Sequence, residues 1–133
     1  MDRDNLNISN IETFLNEKFD NIISKNTFVG SKLPDKASIP NTWKDICLID
    51  IPNGVQDREA FGQGTVLVYL YARPMESGRK NVGILAQMEQ RLNEILASNT
   101  DSNYSISRRL TFTGYNRDID WHFNVVELTL LVG

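Results

Sequence analysis

The chain has 133 residues, 41% hydrophobic and 23% charged, a composition that supports one globular core and excludes disordered and fibrous classes. Formal net charge is −3, which argues against non-specific nucleic-acid binding as the main task, and a single cysteine excludes an internal disulfide. No apolar run approaches the roughly 20 residues of a membrane helix. The opening MDRDNLNISN lacks the basic start and apolar middle of a signal peptide, so the expectation is an intracellular protein of one domain, residues 1–133.

In chain order, residues 1–8 are polar and expected to be disordered. Ser9 and Glu12 have the spacing of a capping box, and Ile11, Phe14, Leu15, Phe19, Ile22 and Ile23 form a helical stripe running to about Lys25. Phe28 and Val29 suit a short edge strand; Pro34 and Pro40 then forbid continuous pairing. WKDICLIDI reads as a strand, followed by a charged stretch between glycines, residues 53–63, expected to be a mobile loop or hairpin tip. GTVLVYLYAR is a strand with Val66, Val68, Leu70 and Ala72 on one face and Thr65, Leu67, Tyr69 and Tyr71 on the other. Leu85, Met88, Leu92 and Ile95 then recur at helical spacing.

The last third reads as a long hairpin, YSISRRLTFTGY turning at YNRD into IDWHFNVVELTLLV. In its second arm Trp121 and Phe123 are out of phase with Val126, Leu128 and Leu130, which predicts a β-bulge near residues 124–125 if one face is buried throughout. The sum is an α+β fold: one mostly antiparallel sheet of 4–5 strands with two helices packed on one face. The second sheet face, with Leu67, Tyr69 and Tyr71, is too apolar to stand wholly in water.

No constellation of residues carries catalysis. His122 and Cys47 are each the sole residue of their type, and no spacing joins them or supplies an orienting third group. They also fall short of a zinc site, and no acidic run has the spacing of a calcium loop. The expectation is therefore a non-enzyme with no cofactor and no metal. Gly62-Gln63-Gly64 precedes a strand, so phosphate cradling does not apply. The residues that remain suit contacts with other molecules: Asp57, Arg58 and Glu59 in the 53–63 loop, Tyr69 and Tyr71 on the apolar second face, Arg73, Arg79 and Lys80 around the next loop, and Arg117 in the hairpin turn.

Three stretches carry a family resemblance: the opening helix IETFLNEKFDNII, the polar FVGSKLP after it, and GQGTVLVYLYAR leading into NVGILAQMEQRLNEIL. In this order they resemble the tail-completion (tail-terminator) proteins of long-tailed phages and prophages, across roughly residues 11–132. The resemblance implies a small α+β domain that assembles with copies of itself into a ring, a hexamer being one such size. That ring ends the tail tube and meets the head connector, so the implied partners are the tube and connector proteins, with no membrane and no specific nucleic acid. The implied location is the virion tail or neck, and the host cytoplasm during assembly. Residues 27–63, with three prolines, a tryptophan and a long charged loop, depart from the family's pattern. Read without the resemblance, the same elements suit a small-ligand or nucleic-acid binding module on a ferredoxin-like sheet.

Overall fold

The computed structural model describes residues 3–99 and 101–133. Among these residues the chain forms two α-helices and a mixed six-stranded sheet, an α+β fold. A 3-10 helix over Arg3–Leu6 leads into α1 (Ile8–Phe19); β1 (Thr27–Val29), β2 (Asp45–Asp50), β3 (Val55–Asp57) and β4 (Gly62–Ala72) follow, then α2 (Val82–Ala97), β5 (Tyr104–Asn116) and β6 (Trp121–Val132). The main sheet runs β1-β2-β4-β6-β5, with β3 paired to the start of β4. Only β1 and β2 are parallel; every other pair is antiparallel. The sheet thus has one strand more than the upper count expected, because residues 53–63, expected as a mobile loop or a hairpin tip, form the β3–β4 hairpin.

Both helices bury their stripes in one core. Ile11, Phe14, Leu15 and Phe19 of α1 join Leu85, Met88, Leu92 and Ile95 of α2 over Val66, Val68 and Leu70. The expected start and end of the first helix are corrected. Asn7, not Ser9, is the N-cap and its side chain makes no capping hydrogen bond; Ser9 lies inside the helix and accepts through its carbonyl from Thr13. The helix stops at Phe19 because Asn21 takes a left-handed φ of 60°, which leaves Ile22 exposed. The expected disorder over residues 1–8 gives way to the 3-10 helix, whose Leu6 packs on the core (residues 1–2 lie outside the described residues).

The expected bulge in the last strand is likewise corrected. β6 pairs with β4 in unbroken register from His122 opposite Ala72 to Val132 opposite Gly62. Its apolar phase changes because the buried face changes. Trp121 and Phe123 belong to a second core on the far face, with Tyr71, Ile46 and the loop residues Ile39, Leu33 and Trp43, whereas Val126, Leu128, Leu130 and Val132 belong to the helix-side core. A sheet covered on both faces at one end and on one face at the other needs no bulge to explain such a pattern. The bulge sits instead in β5, where Arg108 faces Leu128 and Leu110 faces Glu127, leaving Arg109 as the extra residue. Tyr104, Ile106 and Arg108 therefore face the helices, and Leu110 and Phe112 face the opposite side. Gly114 is required on that side: a Cβ there would lie 2.6 Å from the ring of Phe123, which covers the glycine.

Candidate interaction surfaces

β4 is eleven residues long, so its ends are separated by roughly 33 Å at about 3.3 Å per residue. The candidate residues divide between these ends. At its beginning the β3–β4 hairpin carries Asp57, Arg58 and Glu59, all exposed. Asp57 is an organising residue of that turn: it accepts the backbone N–H of Glu59 at 2.8 Å and pairs with Arg3. The Glu59 amide and the Arg3 guanidinium hold its carboxyl below the ordinary range. Glu59 itself occupies a left-handed φ of 68°.

At the other end of β4 lie Arg73, Arg79, Lys80 and, in the β5–β6 turn, Arg117. Arg73 is committed within the fold. Its guanidinium stacks over Trp121 at 4.7 Å and donates to the carbonyls of Trp43 at 2.8 Å and Pro40 at 3.0 Å, pinning residues 40–43 against the sheet. Lys80 donates to Thr113 Oγ1 at 2.5 Å, while Arg79 and Arg117 stay exposed. The two charged loops are thus brought to opposite ends of the sheet and not to one site.

Tyr69 and Tyr71 stack at 6.0 Å with planes 15° apart on the second face. That face is covered at this end, so Tyr71 is 4% exposed, and its reading as an open contact residue is corrected. The segment that covers it, residues 31–43, was legible in sequence only as loop; its apolar Leu33, Ile39 and Trp43 are what bury the tyrosine. Lys36 of the same segment pairs with Asp120, which also accepts from Tyr115 Oη at 3.1 Å. Between residues 31–37 and the tyrosines an open groove of about 840 Å3 remains.

The rest of the second face is uncovered, and here lies the surface that sequence reasoning missed. β5 ends the sheet, and among the described residues no strand pairs with its outer edge. Leu110 is 43% exposed and Phe112 50%, side by side on the second face of this edge, and Tyr115 is 47% exposed on the other. Arg108 and Arg109 guard only the first half of the strand. Arg108 reaches Asn93 and, at 3.9 Å, Glu89 of α2; Arg109 pairs with Glu127 at 2.8 Å. Residues 110–116 carry no charge. The alternation LTFT was a visible signal, but the bulge that turns Leu110 and Phe112 outward was not.

Cys47 and His122 are not brought together as a catalytic pair. The Cys47 thiol is fully buried in the helix-side core, and that burial, with Asp45 nearby, raises its pKa far above the ordinary range. His122 packs edge-on to Tyr115, and its Nδ1 is buried without a hydrogen-bond partner among the described residues. Among the described residues no group of three metal-binding side chains assembles, and no helix is long and apolar enough to cross a membrane. No known protein family matches the chain, and no curated protein matches it.

Proposed function

We propose that this protein is a non-enzymatic assembly subunit that associates with copies of itself into a closed ring, in the manner of the phage tail-completion proteins it resembles. In that role the ring ends a tail tube and presents a surface to the head connector. The observation that carries the reading is the open edge of β5, with Leu110 and Phe112 exposed beside it. Natural sheets guard such an edge with charge, proline or a bulge, and the uncharged half of β5 lies beyond both its bulge and its arginines. An open uncharged edge flanked by exposed apolar side chains is a surface suited to another chain.

The charged ends support a place for such a ring between two different partners. When subunits join side by side through their sheet edges, the strand ends form the two rims of the ring. One rim then carries Asp57, Arg58 and Glu59, and the other Arg79, Lys80 and Arg117. Exposed pairs of this kind contribute roughly 0–1 kcal/mol each, so they select orientation while apolar contact supplies affinity. A small-ligand binding module is the second reading, favoured by the groove beside Tyr69 and Tyr71.

Sedimentation at rising protein concentration tests the association. The native chain is expected to pass from monomer to one discrete larger species, and Phe112→Asp to stay monomeric with an unchanged unfolding temperature. A native chain that remains a monomer at every concentration, with or without tail tubes, overturns the reading.

A further inference from the structure

The register of the sheet says which surface meets the β5 edge. Followed strand by strand, Phe28 lies level with Leu48, Tyr69, Val125 and finally Phe112. By the same count Thr27 lies level with Thr113, and Val29 with Thr111. β1, the opposite edge of the sheet, therefore stands at the height of the uncharged part of β5. Direction agrees as well. One parallel and three antiparallel steps separate the two edges, so β1 runs opposite to β5. A second copy set beside β5 and turned to follow the twist of the sheet, with no rise along the strands, presents its β1 antiparallel to residues 111–113. Such a contact between two different patches forms a ring where the rotation from copy to copy closes.

Charge agrees with this placement. Beside β1, Glu12 and Glu17 of α1 line a shallow hollow with Val29, and the Glu12 carboxylate lies against Gly30. Neither glutamate is in an ion pair among the described residues. Gly30 follows β1 and stands about one residue step from the height of Arg108, and Glu12 and Arg108 both lie on the helix side. Arg108, already 3.9 Å from Glu89 of its own subunit, keeps donors to spare beyond Asn93 and Thr111.

We infer that residues 111–113 of β5 pair with β1 (Thr27–Val29) of a second copy, with Phe112 beside the neighbour's Phe28 and Arg108 facing the neighbour's Glu12. The inference rests on the self-association reading and specifies its contact. The paired strands continue the sheet from one subunit to the next, and the exposed Phe112 gains an aromatic neighbour on its own face.

Directly opposed residues of an antiparallel pair have Cβ atoms about 4.5–5.5 Å apart, close enough for a disulfide after small adjustment. Two single variants, Thr27→Cys and Thr113→Cys, are mixed under mild oxidation while rings are imaged in the same samples; the native Cys47 is fully buried and does not compete. The expected result is a disulfide-linked dimer in the mixture and in neither variant alone. Dimers from Thr113→Cys alone mean that two β5 edges pair about a two-fold axis, and rings without any cross-link mean another contact. Either result overturns this inference and leaves self-association standing. No rings and no larger species under any condition overturns both. As a second measure, Glu12→Arg and Arg108→Glu are each expected to weaken assembly, up to about fivefold for an exposed pair, and together to restore it. Restoration failing in two folded single variants also overturns the inference.

Discussion

Asp120 joins two parts of the chain that are distant in sequence. In the β5–β6 turn, at a left-handed φ of 59°, it accepts from Lys36 of the covering segment and from Tyr115 of β5. The hydrogen bond from Lys36, with that from Tyr115, holds its carboxyl below the ordinary range, and the same contact raises Lys36. A depressed carboxyl contributes stability above its unfolded value, about 3.9, and loses it as pH falls through the folded value. A raised lysine contributes below about 10.4 and loses its share as pH rises past its folded value. The tie is therefore complete between these limits. Acidification below about pH 4 is expected to loosen residues 31–43 and change the fluorescence of Trp43 and Trp121. Asp120→Asn should remove that acid transition, and an unchanged transition would show that Asp120 does not hold the segment. In sequence the turn YNRD and the strand after it were visible, with Asp120 between them. Nothing there pointed to Lys36, which is 84 residues away.

The helix α2 and its partner strand were the most legible elements, because a burial stripe at helical spacing marks a helix and a short apolar run dense in β-branched and aromatic residues marks a strand. Leu85, Met88, Leu92 and Ile95 are the buried face of α2, as their spacing predicted. Leu92→Ala is expected to lower stability by about 2–5 kcal/mol, since the side chain is fully buried. Gln90→Ala, on the exposed face, should change it by under about 0.5 kcal/mol. Equal effects in chemical denaturation would place the core on the wrong side of the helix. The hairpin strands were legible as elements but not in register. A phase change in apolar residues has two causes, an extra residue or a change of the covered face. Choosing between them for β6 required knowing that residues 31–43 cross the second face. In β5 the true extra residue, Arg109, lies in a polar stretch where alternation gives no signal.

At the scale of the whole molecule, and among the described residues, the main sheet ends in β1 on one side and β5 on the other, and its two strand ends are unlike. β1 and residues 111–113 of β5 lie at one height in the register and run in opposite directions. Asp57, Arg58 and Glu59 mark one strand end; Arg79, Lys80 and Arg117 mark the other. In the proposed ring the edges make the contacts between subunits and the ends those above and below it. Of the candidate residues, Arg73 and Tyr71 serve the fold itself, and the apolar contact passes to Leu110 and Phe112. Electron microscopy of the protein mixed with purified tail tubes tests the proposed ring. A single closed ring seated on one end of each tube is expected. Bare tube ends, with the protein dispersed as monomers in the same field, would contradict it.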